Sequence, residues 1–277
     1  MRNRFTGSIL AAAMLAFSTG LLAQTKAEPG SAGVKVPPDL SGVWDPGIGT
    51  SPSPNAPSEA TARDIAAGRV PIFGFSTEEP PMQPWAAEKY KAARQARAPN
   101  ERGREESDPI MYPYCMPHGF PRDYTTPFSF EIVQTPDRVY MLFESDHQMR
   151  RIYLDGRKHL EGWAPSFTGI SHGKWDGDTL VVETDNLLSL NKNAWLDTFG
   201  HPFTDVLHVT ERFRRLNPDT LQIDFLFDDP GAYTKAWPGR KVFRLKDWDM
   251  TEYTVCEGEQ RQNFLRDLQG GKPAGRP

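Results

Sequence analysis

The chain has 277 residues, of which 32 are basic and 36 acidic, and its net charge is −4 when histidine is neutral. A mildly acidic chain gives no support to nucleic-acid binding, which normally uses a basic surface, or to attraction by an anionic membrane surface. The length allows a sizeable core in one large all-β domain or in two small domains.

The first 23 residues have the layout of a secretory signal peptide. Arg2 and Arg4 precede an apolar segment at 8–17, and small residues lead to a cleavage site after Ala23 or, alternatively, Ala27. A transmembrane anchor is the other interpretation, but the apolar segment is shorter than the roughly 20 residues that a bilayer span needs. We therefore expect a periplasmic or secreted protein of net charge about −6, whose mature chain does not insert stably into a membrane.

Few regular elements are predicted before residue 108. Residues 24–38 are small, polar and proline-containing, which predicts a flexible leader. A short strand is expected near 41–45, and the Pro-, Ser- and Gly-rich stretch at 45–107 predicts an irregular excursion lying on the domain. Within this excursion, the Ala, Glu, Lys and Arg residues that follow Pro84 predict a helix at about 85–98.

The proline-rich segment at 108–127 predicts a loop with a defined shape, because prolines fix the backbone and remove hydrogen-bond donors. Such a loop suits either the wall of a cavity or a plug that closes a barrel end. His118, Arg122, Asp123 and Tyr124 crowd this segment. They fit either a cap that brings donors and a general acid to a cavity or a solvated network of hydrogen bonds, and we assign His118, Arg122 and Tyr124 to substrate binding.

From residue 127 onward, tight turns separate runs of alternating side chains. The turns contain Asp, Gly, Asn or Pro, and a β-branched or aromatic run follows each of them; they lie at 135–137, 155–156, 176–178 and 217–219. The alternation predicts strands near 41–45, 128–135, 138–145, 148–154, 169–175, 178–186, 205–215, 219–228, 241–245 and 251–256. These ten strands predict an all-β fold, an antiparallel up-and-down meander closed into a single barrel domain at 39–257, followed by a disordered tail at 258–277.

One carboxylate falls on the face of this barrel that the pattern predicts to be dry. The strand at 205–215 turns three apolar residues to one face, namely Leu207, Val209 and Phe213. Glu211 is in phase with them. Because a buried carboxylate must find a cation, line a wet cavity or have a raised pKa, Glu211 is the first candidate catalytic residue.

The partner cation is expected from the strand at 148–154. Arg150 and Arg151 are adjacent there, so one of them points inward whichever face is buried. An inward arginine beside Glu211 or Glu144 would be either part of a catalytic site or a structural ion pair that fixes strand register, and both interpretations stay open. We choose Arg151 as the group that orients an anionic substrate.

The histidines and cysteines do not indicate a metal site. No histidine pair has the spacing of a zinc-binding helix, and no cysteine cluster is present, so we expect no metal. The chain has two cysteines, Cys115 and Cys256. In an exported protein such a pair suggests one disulfide, with two separate buried thiols as the alternative.

The remaining polar residues suit proton transfer. The chain has no Gly-rich phosphate loop and no nucleophile elbow, so nucleotide chemistry and serine hydrolysis are disfavoured and no cofactor is expected. The candidate catalytic set is Glu211 or Glu144 as the base, Arg151 as the anion-binding group, and His172 or Tyr153 as the acid.

Aromatic residues of the predicted strands would form the walls of the site. These residues are Tyr140, Phe143, Trp175 and Phe213. They suit a small aromatic or hydrophobic molecule, which gives two hypotheses: an exported, cofactor-independent lyase or isomerase, or a non-catalytic periplasmic binding protein. A third is a surface-interaction module whose dry face only packs.

Three linked motifs carry a resemblance to known proteins. They are GKWDGDTLVVET at 173–184, LHVTERFRR at 207–215 and DDPGAYTKAW at 228–237. Together they resemble a widespread, mostly uncharacterised family of exported bacterial proteins that also have cysteines where Cys115 and Cys256 fall. The resemblance covers about 108–257 and implies no established catalytic residues.

A shorter segment resembles a second group. LSGVW at 40–44 is similar to the Gly-x-Trp opening of lipocalin-like barrels. This resemblance implies a lipocalin-like β-barrel with an internal ligand pocket.

Overall fold

The computed structural model describes residues 37–46, 71, 73–96, 116–157 and 162–251. Several predicted features lie outside these residues. They are the signal peptide, the leader up to residue 36, most of the 45–107 excursion, Cys115, Cys256, all but the first residue of the strand at 251–256, and the tail. The predicted disulfide is therefore untested by the structure.

The all-β prediction is confirmed. The strands are β1 (Gly42–Asp45), β2 (Phe130–Gln134), β3 (Arg138–Phe143), β4 (Met149–Tyr153), β5 (Ile170–Asp176), β6 (Thr179–Asp185), β7 (His208–Asn217), β8 (Thr220–Asp228) and β9 (Trp237–Lys246). Most lie within two or three residues of the predicted bounds. The exception is β9, which begins four residues early because Pro238 and Gly239 resemble a turn in sequence yet pair with Leu226 and Phe225 of β8.

The nine strands form a closed barrel in which each strand pairs with the next and β9 pairs with β1. Strand directions cannot alternate all the way round a ring with an odd number of strands. One pair must be parallel, and it is β4 with β5, where Ile152 lies opposite Ser171. The prediction of a purely up-and-down order is wrong at this pair, because two successive parallel strands cannot be joined by a hairpin.

The predicted helix is confirmed as α1 (Pro84–Ala96). Its first turn is fixed to the loop before β9, since Gln83 N donates to Ala232 O at 2.7 Å and Trp85 Nε1 donates to Gly231 O at 2.9 Å. The Tyr90 ring stacks on His201 with centroids 4.2 Å apart.

Aromatic side chains fill the described interior of the barrel. The inward row of β7 is the one that period 2 predicted, and Glu211 lies in it. The buried aromatic residues include Trp44, Phe120, Tyr124, Phe130, Phe143, Phe213, Phe225, Phe227 and Phe243. The interior is therefore a packed core in the part of the chain that the structure describes.

The described part of the proline-rich loop plugs one end of this barrel. A 3-10 helix (Arg122–Thr125) follows the cis Phe120–Pro121 bond, and all four of its residues are buried. The Tyr124 ring makes edge contacts with Phe130 at 5.6 Å and Phe225 at 5.4 Å. This part of the loop therefore acts as a plug, which is one of the two roles considered for it.

A second segment closes the same end of the barrel. Phe75 packs on Phe225 and Phe227 with ring centroids 4.7 and 4.8 Å away. Lys241, an inward residue of β9 that is 2% exposed, donates from Nζ to Pro71 O at 2.9 Å and to Gly74 O at 3.4 Å. A buried lysine thus fixes this segment through backbone carbonyls.

The burial of Lys241 predicts a stability change with pH. Burial lowers its pKa from 10.5 to about 7, although Asp197 acts in the opposite direction. Between these two values the unfolded chain binds more protons than the folded chain, so the free energy of unfolding rises with pH there; below about 7 both states are protonated and the contribution to the slope ends. Lys241→Met should lower this slope by up to about 1 kcal/mol per pH unit. Urea unfolding between pH 7 and 9.5 measures it.

The exposed lysine Lys174 provides the control, because Lys174→Met removes a solvated amine from β5. It should leave the slope as it is in the unmodified protein. Equal slopes for both variants and the unmodified protein would mean that Lys241 titrates as an ordinary lysine.

Candidate functional site

A buried ion pair crosses the barrel interior from β4 to β7. The Arg150 guanidinium donates from Nη1 to Glu211 Oε1 at 2.9 Å and from Nη2 to Glu211 Oε2. The side chains are 1% and 0% exposed. Because the contact is bidentate and shielded from water, both charges are held in one geometry.

The other donors of Arg150 are also satisfied. Nε donates to Ser171 Oγ at 3.0 Å, Nη2 to Thr184 Oγ1 at 2.7 Å, and Nη1 to the Tyr124 hydroxyl at 3.0 Å. The guanidinium also lies 3.8 Å from the centroid of the Phe120 ring. All five N–H groups of an arginine are therefore used.

Glu211 receives a third hydrogen bond, from the Tyr124 hydroxyl to Oε1 at 3.0 Å. Burial, and then the neighbouring Glu211 carboxylate, raise the pKa of Tyr124 well above its usual value. For Arg150, burial opposes the charge, but Glu211 and Tyr124 outweigh it and the pKa is raised. The cluster is thus a closed network of a cation, an anion and a neutral phenol, which matches the structural interpretation of the pair.

The arginine chosen from the sequence is not the one in this network. Arg151 lies on the outer face of β4, exposed, opposite Tyr140 of β3. The expectation that Arg151 lies beside Glu211 is wrong, and Arg150 takes that place. The sequence signal that favoured Arg150 was the apolar residue Ile152. It is buried and lies two positions after Arg150, so both side chains point to the inward face of β4.

Three more candidates lie on the outer face with Arg151. Tyr140 accepts a hydrogen bond from Arg138, and Tyr153 lies beside His172 with ring centroids 5.9 Å apart. Period 2 places all three opposite the side of the sheet that carries Arg150. The structure does not bring His172 or Tyr153 to Glu211.

Glu144 makes its hydrogen bonds outside the Arg150–Glu211 network, and the other predicted aromatic residues do not form an open site with it. Glu144 follows β3 and accepts hydrogen bonds from Ser129 N at 3.1 Å and from the Thr251 hydroxyl. Phe143 and Phe213 are buried in the core, and Trp175 packs against it, half-buried. These three rings fill space rather than border an open cavity.

Two of the predicted binding residues do meet in an open pocket, formed by loops at the plugged end of the barrel. The space between these loops, here called the end pocket, is open at its mouth, and its volume of about 330 Å³ includes open solvent. Its lining residues are Pro117, His118, Gly119, Phe120, Arg122, Phe167, Leu188, Leu190, Ala194, Trp195 and Phe203. Apolar and aromatic side chains line it together with the polar side chains of His118 and Arg122.

The polar groups of the end pocket are held in place. His118 Nδ1 lies 3.0 Å from Asp146 Oδ2 and 3.1 Å from Ser145 Oγ. The Arg122 guanidinium lies 5.0 Å from the centroid of the Trp195 ring. Tyr124, the third predicted binding residue of the loop, points instead into the barrel core.

Asp123, the residue after Arg122, has a buried carboxyl group. It is 2% exposed, and neither carboxyl oxygen has a hydrogen-bond partner among the described residues. Burial, and then the Asp146 carboxylate, raise its pKa well above the usual value, while Arg122 and Arg150 act in the opposite direction. A carboxyl group in this setting favours its neutral form.

Sequence reasoning missed most of the pocket. Phe167, Leu188, Trp195 and Phe203 come from long loops without a period, so no pattern placed them together. The loop cluster of His118, Arg122 and Asp123 was the available signal, because polar residues of a proline-fixed loop have defined positions.

Comparisons with known proteins add no assignment. No family model matches the chain, and no curated protein matches it. In the described ranges, no three His, Cys, Asp or Glu side chains are grouped as metal ligands would be. Within those same ranges, no helix is long and apolar enough to cross a membrane.

The ion pair predicts a contrast between two adjacent arginines. Arg150→Ala leaves Glu211 buried without its partner and should lower the free energy of unfolding by about 3–5 kcal/mol. Arg151→Ala removes an exposed side chain and should change it by less than about 0.5 kcal/mol. Denaturant unfolding at pH 7 measures both.

A double variant distinguishes the effect of the two charges on stability from the effect of the side-chain volume. Arg150→Met with Glu211→Leu removes both charges together, so it should destabilise less than Arg150→Ala alone. If Arg150→Ala and Arg151→Ala cost the same, the pair contributes nothing to stability.

Proposed function

We propose that this protein binds a small aromatic or hydrophobic molecule in the end pocket. The observation that carries the proposal is the position of open space: aromatic walls, Arg122 and His118 border the end pocket, whereas side chains pack the described barrel interior. A ligand therefore binds among the loops at the plugged end. The proposal keeps the hypothesis of a non-catalytic binding protein. It places the ligand site at the end of the barrel and not in the interior.

Glu211 gives less support to catalysis than its sequence position suggested. It accepts three hydrogen bonds from Arg150 and Tyr124, and it is fully buried. A general base must be within hydrogen-bond reach of a substrate proton, and this carboxylate is surrounded by its own partners. We therefore assign Glu211 a structural role.

A second candidate function, an acid-base enzyme of the lyase or isomerase type, is supported by one other observation. His118, which is bonded to Asp146, lines the end pocket, and the buried Asp123 carboxyl group belongs to the residue after Arg122, which also lines it. Carboxyl and imidazole groups in different environments can act as acid and base towards one substrate.

Blocking the end pocket tests the binding proposal. Leu188→Trp places an indole in the pocket and should abolish binding, whereas Leu226→Trp adds the same ring to the outer face of β8, where Leu226 is 44% exposed. The probes are acetophenone, ethylbenzene, benzamide and indole. Saturation-transfer NMR should detect bound probe with the unmodified protein and with Leu226→Trp, and not with Leu188→Trp.

Two results would contradict this proposal. One is the absence of binding by all four probes to the unmodified protein, and the other is equal binding by Leu188→Trp. The same samples test catalysis, because the enzyme candidate requires that a bound compound is converted, and a binding protein returns every probe unchanged.

We also propose that the protein is exported and that Cys115 and Cys256 form a disulfide in the oxidising compartment. Expression of the full chain in a bacterial host should yield a periplasmic product that begins at Gln24 or, with the alternative cleavage site, at Glu28. N-terminal sequencing of the fractionated product checks this. A cytoplasmic product that retains Arg2 and Arg4 would contradict it.

A further inference from the structure

Asp123 has a buried carboxyl group for which the described part of the chain offers no hydrogen-bond partner. Asp123 lies in the 3-10 helix of the plug, one residue after Arg122, which lines the pocket. Its backbone is fixed, since Asp123 N donates to Gly119 O at 3.0 Å and its carbonyl accepts from the Thr126 hydroxyl at 2.8 Å. The carboxyl oxygens alone are left without a hydrogen bond from the described residues.

Other buried carboxylates of this protein are bonded. Asp229 accepts hydrogen bonds from Thr204 N and Thr204 Oγ1, both at 2.6 Å, and Asp197 lies 2.7 Å from His201 Nδ1. Leaving a buried polar group unbonded destabilises the folded state, and native proteins do so rarely. The unbonded carboxyl oxygens of Asp123 are therefore available to a bound molecule that supplies the missing hydrogen bond.

Two of the charged groups that act on Asp123 connect it to the pocket, since Arg122 lines the pocket and Asp146 is bonded to His118, which also lines it. Asp146, which is bonded to His118, disfavours a negative charge on Asp123, while Arg122 and Arg150 favour it. Arg150 is already neutralised by Glu211 and hydrogen-bonded to Tyr124. Burial is the largest effect and favours a neutral acid. A neutral carboxyl group has one O–H donor, which an ionised carboxylate lacks.

We propose that Asp123, as a neutral carboxylic acid, forms the inner end of the ligand site and donates a hydrogen bond to an acceptor atom of the ligand, directly or through one water. The proposal rests on the proposed binding function and narrows the ligand class to aromatic or hydrophobic molecules that carry a carbonyl or similar neutral acceptor. A buried donor rejects an analogue without the acceptor, because the donor would then remain unpaired.

The first test needs no ligand. Infrared spectra at pH 7 distinguish the carbonyl stretch of a protonated carboxyl group from that of a carboxylate. The unmodified protein should have a protonated-acid band that disappears in Asp123→Asn and persists in Asp178→Asn, which changes an exposed aspartate in the turn after β5. A spectrum without this band at pH 7 would overturn the proposal.

The second test uses two probes that differ in the acceptor. Acetophenone carries a carbonyl, and ethylbenzene has the same ring without one. The unmodified protein should bind acetophenone about five- to tenfold more tightly than ethylbenzene, as expected for one hydrogen bond. Asp123→Leu, which has no donor, should bind both equally, whereas Asp123→Asn keeps an N–H donor and should retain the preference.

The pH dependence of this preference identifies the titrating group. In the unmodified protein the preference should fall as alkaline pH removes the Asp123 proton, and in Asp123→Asn it should not change. If Asp123→Leu retains the full preference, or if the preference in Asp123→Asn falls with pH in the same way, the donor is another group and the proposal is wrong. If neither probe binds the unmodified protein, the proposed binding function fails, and the infrared result alone decides the state of Asp123.

Discussion

The pairing of Arg150 with Glu211 is the constraint on which the rest of this structure depends. Two charges inside a β-barrel must be satisfied by each other and by neighbouring polar groups, because water does not reach them. The network draws in Tyr124 by hydrogen bonds and Phe120 by ring contact. Both residues belong to the plug, so an interaction in the core fixes the loop that borders the end pocket.

In this arrangement the stabilising core is separate from the proposed binding site. The barrel interior resembles a protein core, with aromatic rings in contact and one satisfied ion pair. The open space lies among loops, where function is commonly found on a rigid scaffold. Asp123 lies between these two regions along the chain, since Phe120 and Arg122 line the pocket and Tyr124 reaches the core.

Much of the fold could be predicted from the sequence, because period-2 alternation and turn residues define strands locally. Nine of the predicted strands were found, and Glu211 was placed correctly on the inward face of β7. The parallel pair of β4 and β5 was not predictable in this way, since it arises from closure of an odd number of strands. Alternation alone did not decide between Arg150 and Arg151, because Arg150 is in phase with the apolar Ile152, whereas Arg151 is in phase with Met149 and Tyr153.

The candidate site was harder to predict because it is made by tertiary contacts between loops. Trp195, Phe167 and Leu188 are far apart in sequence and have no shared motif, whereas His118 and Arg122 were found through the proline-rich segment. Long loops carry no period that would reveal which residues meet. Tyr153 and His172 were chosen as candidate acids because the alternation of their strands was easy to recognise, but alternation alone does not show which face is inward.

The central claim is that ligand binds at the plugged end of the barrel and not in its interior. Amide chemical-shift mapping by NMR during titration with acetophenone tests this most directly. The account predicts shifts at residues 117–123, 167 and 188–195, with little change at Val182, Val209 or Ile223 in the core. Shifts concentrated at those core residues, with none in the loops, would contradict it.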